Sequence, residues 1–269
     1  MPNVAFSPAP GKRVRLHDLD PGHSGGLKKK SDAESELVRC QEELATLQEM
    51  LHAARDQALL IVLQGIDAGG KDGTIKHVMG AFNPQGVQVT AFKAPSEEEL
   101  AHDFLWRVHR VAPPMGVVGI FNRSHYEDVL VARVKNLVDR RVWKRRYEHI
   151  NDFARLLVES KVTIVKFFLH ISKAEQAARL RDRLTDPHKN WKIAASDLED
   201  RKLWDRYQEA FDEMLTRCNT AYAPWHVIPA DKKWFRNLAV SRILVERMKR
   251  MKLRFPDPPP DLDRYKIPK

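Results

Sequence analysis

Five short apolar runs stand out from an otherwise mixed pattern of hydrophobic and polar positions. The clearest is ALLIVL at residues 58–63, where apolar residues follow one another without alternation. A short, continuous run of this kind is typical of a central strand that is covered on both faces. The other runs of this type span residues 87–92, 115–121, 163–171 and 225–230. We therefore predict buried strands at these five places.

The stretches between these runs have the spacing of amphipathic helices. From Ser31 onward, apolar residues recur every three or four positions and form one helical stripe, at Leu37, Cys40, Leu44, Leu47 and Leu51. The same pattern covers residues 97–110, 142–159, 173–184, 197–217 and 232–252. Because strands and helices alternate, we expect an α/β fold of three layers, α/β/α. Its central sheet should be mostly parallel and joined by right-handed crossovers.

Both ends of the chain depart from this pattern. Residues 1–30 are rich in proline, glycine and charge and end in three lysines, so we expect an extended arm with little structure of its own. Residues 255–269 are proline-rich and predict a tail that lies along the surface or hangs free. The 43% hydrophobic content of the 269 residues favours a single large domain at residues 31–254 over two small ones.

The charge balance indicates a negatively charged partner. Lys and Arg number 46 against 36 Asp and Glu, for a net charge of +10, and a basic excess attracts polyanions. Acidic residues are interspersed with the basic ones nearly everywhere. The sign alone therefore leaves open whether the whole surface or a local phosphate site binds that partner.

Other classes of protein receive little support. Cys40 and Cys218 are too few for a disulfide framework and have no metal-binding spacing. The N-terminal sequence lacks an apolar stretch of signal-peptide length, and nowhere do about 18 apolar residues run together, as a membrane span requires. We expect a cytoplasmic protein without a membrane partner.

A phosphate-binding loop follows the first predicted strand. Gly65, Gly70 and Lys71 match G-x-x-x-x-G-K directly after a strand and ahead of a helical segment, which is the context that this motif requires. Its glycines let backbone N–H groups surround phosphate oxygens, and its lysine reaches the transferring group. The residues expected to bind substrate here are Gly65, Ala68, Gly69, Gly70, Asp72, Gly73 and Thr74. The alternative is a glycine-rich turn with a chance lysine.

The loop departs from the usual motif at its last position. Asp72 stands where a hydroxyl normally binds magnesium, and the nearest hydroxyl, that of Thr74, comes two positions later. Asp67 lies inside the loop, where a carboxylate among phosphate-binding amides is costly unless a cation bridges it to the phosphates. We therefore expect Asp67 to bind Mg²⁺. Alternatively, Asp67 only caps the following turn by accepting backbone N–H groups.

A second polar cluster, FNRSHYEDVL, follows the strand predicted at residues 115–121. It places Asn122, Arg123, Glu127 and Asp128 at the carboxyl edge of the sheet, where ligands bind in open parallel sheets. Asn122 is only a neutral oxygen donor, so a second metal carboxylate is expected from Asp128, with Glu127 as the alternative. Arg123 has the planar guanidinium that clamps phosphate oxygens. It can also pair with either acid for structure alone.

A third cluster, ARLRDRLTDPHKNWKIAASDLEDR, joins two helical patterns through a loop that contains Pro187. Residues 179–197 predict a charged lid over the phosphate site, which would exclude water and add cations where negative charge accumulates. A solvated helical face with an ordinary loop is the open alternative. The candidate substrate-binding residues are Arg179, Arg183, Lys189 and Lys192 of the lid, and Lys93 after the second strand.

With these clusters, the chain resembles the polyphosphate kinase 2 family over about residues 35–252. The resemblance rests on GIDAGGKDGT, FNRSHYEDVL, DLEDRKLWDRYQEAFDEML and APWHVIPADKKWFRNL. It implies a P-loop kinase fold with a helical lid, a Mg²⁺ requirement and assemblies of two or four subunits. It also implies phosphoryl transfer between inorganic polyphosphate and nucleotides. Asp67, Lys71 and Arg123 match the family's loop carboxylate, phosphate-binding lysine and second-strand arginine, and with Asp128 they are the expected catalytic residues.

One departure narrows the resemblance. Many members carry Asp at the position of Asn122 and Trp-Tyr-Asn-Arg where this chain has His125, Tyr126, Glu127 and Asp128. In this respect the chain resembles the subgroup that accepts AMP as well as ADP and so builds ATP in two steps. The alternatives are an ATP-dependent nucleoside monophosphate kinase and a nucleic-acid-binding protein that uses the loop as a backbone clamp. No recognised nucleic-acid-binding module supports the last, so we expect no nucleic acid partner.

Overall fold

The computed structural model describes residues 5–265 and residue 267. The strands are β1 (Ala58–Gln64), β2 (Val87–Ala91), β3 (Val118–Asn122), β4 (Val162–His170) and β5 (Trp225–Pro229). Within the described residues they form one sheet in the order β2-β3-β1-β4-β5, and each neighbouring pair is parallel. The predicted α/β fold with a parallel central sheet is confirmed, and each strand overlaps the apolar run that predicted it.

The helices fill the connections between strands. They are α1 (Ser31–Ala54), α2 (Lys71–His77), α3 (Glu97–Leu100), α4 (Trp106–His109), α5 (Glu127–Val134), α6 (Arg140–Glu159), α7 (Lys173–Thr185), α8 (Ala195–Lys202), α9 (Trp204–Arg217) and α10 (Lys233–Arg250). None of these helices, in the part of the chain that is described, is long and apolar enough to cross a membrane.

Two groups of helices cover the sheet. Helix α10 packs against α1 and α2 and also contacts β4 and β5. In the second group α5 packs against α6 and α9, and α6 lies on β4. Every residue of β1 is buried, as in a central strand that is covered on both faces. The central, fully covered strand predicted from the apolar run at residues 58–63 is therefore confirmed as β1.

Two helices predicted as continuous are interrupted. The stretch predicted at residues 97–110 contains α3 and α4 with a turn between them, because the Asp103 carboxylate accepts the N–H of Leu105 at 2.9 Å and starts a new helical turn. The stretch predicted at residues 197–217 breaks between α8 and α9 at Leu203, whose ψ of 17° leaves the helical region. Leu203 packs against the core there, so tertiary contacts override the local helical pattern.

The N-terminal arm lies against the domain. In its described part, residues 5–30, the arm contains one 3-10 turn, Leu16–Asp18. Phe6 pairs antiparallel with Val227 of β5, and the N–H of buried Leu16 donates to Asp212 at 2.8 Å. The arm thus covers the edge of β5, which would otherwise expose unpaired backbone groups. The tail residues 255–262, 264, 265 and 267 are exposed. Residues 1–4 of the predicted arm and residues 266, 268 and 269 of the predicted tail lie outside the described residues.

Candidate active site

The loop between β1 and α2 turns sharply at the carboxyl edge of the sheet. Gly65 and Gly70 have φ angles of 152° and 105°, and Ala68 has a φ of 62°. A Cβ atom at Gly65 would lie 2.8 Å from the carbonyl oxygen of Leu169 in β4. Glycine is therefore required at this position both by the backbone conformation and by the closeness of the neighbouring strand.

Lys71 folds back over this loop. Its Nζ donates to the carbonyl oxygens of Gly65 at 2.7 Å and Ile66 at 3.1 Å. Burial lowers the pKa of Lys71 to about 8, and the positive charge of Arg123 acts in the same direction. The ammonium group thus rests on neutral carbonyls beside a second cation, and a phosphate oxygen would be a stronger partner for it than either carbonyl.

Arg123 lies opposite the loop and joins two carboxylates. It is the first residue after β3, has a φ of 61°, and donates its N–H to Leu63 of β1. Its guanidinium pairs with Asp67, and it lies 3.6 Å from Glu127. Glu127 in turn accepts a hydrogen bond from Gln64 at 3.1 Å. A non-glycine residue in the left-handed region is costly and is often found at functional sites.

Asp128 has different partners from Asp67. Its carboxylate lies 3.4 Å from both Arg107 and Arg146, and Arg146 also donates to its backbone oxygen at 2.9 Å. Burial raises the pKa of Asp128 against the opposing effect of the two arginines. Of the two acids considered as structural partners of Arg123, it therefore pairs with Glu127 and not with Asp128. The predicted metal role of Asp128 stays a prediction.

Asn122 and Lys93 lie at the same edge of the sheet. The Asn122 side-chain amide donates to the Asp72 carboxylate at 2.8 Å. This bond links the end of β3 to the start of α2 and gives Asp72 a partner where the usual motif has a hydroxyl. Lys93 follows β2, its side chain is exposed, and its carbonyl accepts from Arg107 at 3.0 Å.

Arg179 holds the backbone of the phosphate loop through hydrogen bonds to its carbonyl oxygens. It lies within α7, and its Nη1 donates to the carbonyl oxygens of Ala68 and Gly69 at 3.0 Å. It also pairs with Glu175 at 2.7 Å and donates to the Asp231 carbonyl at 3.2 Å. The structure corrects the predicted position of Arg179: it is a buried support of the phosphate loop and not a cation of a mobile lid.

The remaining cations of the predicted lid lie on or beside the segment between α7 and α8. Arg183 pairs with Asp197 at 3.2 Å, and Lys189 pairs with Asp182 and Asp186 at 3.0 and 2.8 Å. Lys192 lies over the ring of Trp191, which is 78% exposed. Lys189 and Lys192 are thus accessible at the surface, whereas Arg183 pairs with a buried carboxylate.

Sequence reasoning missed several residues that shape this site. Asp197 is buried on α8, and its pKa is raised by burial and also by the negative charge of Asp67. Arg107 and Arg146, which hold Asp128, fell within stretches predicted as ordinary helices. No spacing in the sequence signals them, because their contacts with Asp128 join three different helices, and the packing of these helices decides which side chains meet.

Comparison with known families agrees with this geometry. The family model described as polyphosphate kinase 2 matches residues 27–256. The chain belongs to the polyphosphate kinase 2 family. A solved structure of polyphosphate kinase 2 from Arthrobacter aurescens TC1 superposes with a TM-score of 0.91 at 44% identity, covering 97% of this chain and 96% of that chain. The predicted membership and P-loop kinase fold are confirmed.

Relatives in the polyphosphate kinase 2 family match most of the chain. An AMP/ADP-polyphosphate phosphotransferase from Meiothermus ruber is 51% identical over 93% of this chain and 94% of its own length. An ADP-polyphosphate phosphotransferase from Rhodopseudomonas palustris is 42% identical over 84% of this chain and 82% of its own length. The similarity therefore extends well beyond the phosphate loop.

Proposed function

We propose that this polyphosphate kinase 2 moves phosphoryl groups reversibly between inorganic polyphosphate and adenine nucleotides, from AMP to ADP and from ADP to ATP. The observation that carries the proposal is the convergence of Lys71, Asp67 and Arg123 on one phosphate loop. The name of the 51% identical relative, AMP/ADP-polyphosphate phosphotransferase, supports the same pair of acceptors. We expect the reaction in the cytoplasm, with no nucleic acid or membrane as partner.

This reaction needs no covalent intermediate, because the terminal phosphate of AMP or ADP is itself a nucleophile. One of its oxygens bonds to the terminal phosphorus of polyphosphate while the bridging P–O bond breaks. The electron pair of that bond stays on the shortened polyphosphate. Catalysis is then mainly a matter of bringing two polyanions together in line. Lys71 and Arg123 supply fixed positive charge at this point, and Arg183, Lys189 and Lys192 add more when phosphate replaces their present partners.

We further propose Mg²⁺ as the metal ion of this site, held by Asp67, with Asp128 as the second candidate ligand. Mg²⁺ is usually held by one or two carboxylates together with substrate phosphates. Asp67 fits this pattern because it lies in the phosphate loop and, within the part of the chain that the structure describes, has a single arginine partner, Arg123. Asp128 fits less well, because two arginines already share its carboxylate. When bound, the ion would neutralise phosphate charge.

The phosphoryl donor separates this proposal from an ATP-dependent nucleoside monophosphate kinase. Purified protein is incubated with ADP and polyphosphate without ATP, and in parallel with AMP and ATP without polyphosphate. Nucleotides are then separated by chromatography. We expect ATP to form in the first incubation and to remain in the second. Consumption of ATP in the second incubation alone would replace the proposal by the monophosphate kinase.

We also propose that the chain assembles with identical copies, as a homodimer or homotetramer, through one face of α6. The exposed residues of this face recur every three or four positions, at Val142, Arg145, His149, Asp152 and Leu156. They border an open groove of about 860 Å³ with apolar walls that include Phe104 and Phe153. Such a groove fits an amphipathic helix.

A second copy of α6 can match this stripe, because Val142 and Leu156 lie seven residues on either side of His149, with Arg145 four before it and Asp152 three after it. Antiparallel packing sets Val142 opposite Leu156 and brings Arg145 near Asp152 of the other copy. Asp152 now pairs with exposed Arg155 at 2.8 Å, and an exposed pair of this kind is weak enough to be exchanged.

Light scattering coupled to size-exclusion chromatography tests this surface. We expect the wild type to elute as a dimer or tetramer and Asp152→Arg to shift it toward smaller species, because Arg145 then faces a like charge. The charge swap Arg145→Asp with Asp152→Arg should restore the assembly. A monomeric wild type, or an assembly unchanged in Asp152→Arg, would contradict the proposal.

A further inference from the structure

Arg236 lies in the first turns of α10 and is buried against the phosphate loop. It is only 2% exposed. Its guanidinium fills the space in front of two loop glycines: a Cβ atom at Gly70 would collide with its Nη1, and one at Gly73 would lie 3.1 Å from its Nη2. The arginine and the two glycines therefore form one packed unit at the loop.

The charge of Arg236 has no acidic partner among the described residues. Its Nε and Nη2 both donate to the side-chain oxygen of Asn237, at 3.1 and 2.7 Å, while Nη1 faces Gly70. The nearby acid Glu175 is paired with Arg179 and does not compensate the charge of Arg236. Burial lowers the pKa of Arg236 to about 10, and the positive charge of Arg179 adds to the effect. A buried cation without a counter-charge is costly unless a ligand supplies one.

Gly73 gives independent support for a specific role of this arginine. It lies inside α2, where glycine is a poorer helix former than alanine, and no positive φ demands glycine there. The structure gives a different reason for it, since a Cβ atom at Gly73 would crowd the guanidinium of Arg236 at 3.1 Å. Glycine at position 73 thus makes α2 less stable but leaves room for the guanidinium of Arg236.

We infer that Arg236 is a phosphate-binding residue of the loop, which supplies a fixed positive charge for a phosphate group of the linear polyphosphate bound there. The inference rests on the proposed function, because that function makes a polyphosphate chain the ligand of the loop. The bound anion provides the counter-charge that the protein lacks. Removing Arg236 should therefore leave the stability of the ligand-free protein unchanged or raise it, and should lower the affinity for polyphosphate. Removing a structural arginine would instead lower the stability of the ligand-free protein.

Thermal unfolding with and without inorganic tripolyphosphate distinguishes these two roles. We expect Arg236→Met to unfold, without ligand, at or above the temperature of the wild type. Its affinity for tripolyphosphate should fall by about 10- to 100-fold, as expected for one lost hydrogen bond to a charged group. KM for polyphosphate should rise, KM for ADP should stay constant, and Arg236→Lys should recover part of the affinity.

Arg242→Met is the matched control on the same helix. Arg242 is mostly buried and forms an ion pair with Glu36, so this variant should unfold at a lower temperature while it keeps its affinity for tripolyphosphate. If Arg236→Met behaves like Arg242→Met, Arg236 is structural and the inference is overturned. Failure of the wild type itself to bind tripolyphosphate would instead contradict the proposed donor, and the inference with it.

Gly73→Ala tests the same unit from the other side. Its Cβ atom would push the guanidinium by a few tenths of an ångström, so the affinity for tripolyphosphate should fall although alanine favours the helix. Gly80→Ala is the control, because a Cβ atom there meets nothing within 4 Å, and its affinity should not change. In the double variant Gly73→Ala with Arg236→Met, the loss should not exceed that of Arg236→Met. Additive losses would overturn the coupling of Gly73 to Arg236.

Discussion

At the scale of single residues, Glu127 lies between the phosphate loop and the edge of the sheet. One carboxylate oxygen accepts a hydrogen bond from Gln64 and the other faces Arg123. A carboxylate in this place can hold a metal ion or a water molecule that reaches the single phosphate of AMP. ADP has a longer phosphate chain, so its terminal phosphate should depend less on Glu127 for its position.

We therefore predict that Glu127→Asn impairs AMP phosphorylation about tenfold more than ADP phosphorylation, the effect of one lost hydrogen bond to a charged group. Both rates are measured at saturating polyphosphate, with thermal unfolding as the control for folding. Glu127→Gln, which keeps the length of the side chain, should show the same selectivity if charge is the cause. Equal losses for the two acceptors would assign Glu127 to the shared chemistry or to the fold.

Lys166 is a second residue whose charge can be followed directly. It is buried in β4, and its Nζ donates to the Tyr126 hydroxyl at 3.0 Å and to the Cys218 carbonyl at 2.6 Å. The ammonium also lies over the ring of Trp225. Burial lowers the pKa of Lys166 to about 7, because these neutral neighbours replace hydration only in part.

The lowered pKa of Lys166 predicts how stability changes with pH. Between pH 7 and about 10.4, the ordinary lysine value, the unfolded chain binds a proton that the native state does not hold. The free energy of unfolding therefore rises with pH in this range, by at most about 1.4 kcal/mol per pH unit. We predict that, from pH 7 to pH 10, the free energy of unfolding of the wild type rises relative to that of Lys166→Met by at most about 1.4 kcal/mol per pH unit. Urea unfolding at each pH measures both values. A difference that stays constant with pH would contradict the burial of the charge.

At the scale of elements, α7 combines two roles that sequence reasoning had merged. Its middle, through Arg179, holds the backbone of the phosphate loop, whereas its end leads into the charged segment before α8. Arg179 is satisfied by protein groups on every side, while Arg183, Lys189 and Lys192 are partly or fully exposed. Replacement of Arg179 should therefore lower the stability of the fold, whereas replacement of the exposed cations should weaken the binding of a polyanion.

Arg179→Gln should lower the free energy of unfolding by about 1–3 kcal/mol, the cost of leaving buried polar groups such as the Ala68 and Gly69 carbonyls without their donor. Joint replacement of Lys189 and Lys192 by Gln should change it by no more than about 1 kcal/mol, because the ion pairs of Lys189 are solvent-accessible and Lys192 is exposed. This double variant should instead raise KM for polyphosphate, and the effect should shrink with added salt. Urea unfolding and steady-state kinetics measure the two quantities. Equal losses of stability in both variants would contradict the division of α7.

At the scale of the whole molecule, the sequence predicted what depends on neighbours along the chain. The strand at residues 58–63 and the loop with Lys71 were visible because burial and phosphate binding impose a local pattern. The parallel sheet then placed Arg123 beside that loop. The roles of Arg179 and Arg236 were not predictable, because the direction of each side chain depends on how α7 and α10 pack around the loop. The broken helix at Leu203 has a similar cause.

The most direct test of the account follows phosphorus by ³¹P NMR after the purified protein is mixed with AMP, polyphosphate and magnesium, without ATP. We predict that ADP appears first and ATP follows, while the polyphosphate chains shorten. Lys71→Ala should slow both steps by about 10² to 10³, as expected when one preorganised donor is lost. If AMP remains unchanged until ATP is added, or if Lys71→Ala keeps the wild-type rates, the loop does not transfer phosphate from polyphosphate and the account is contradicted.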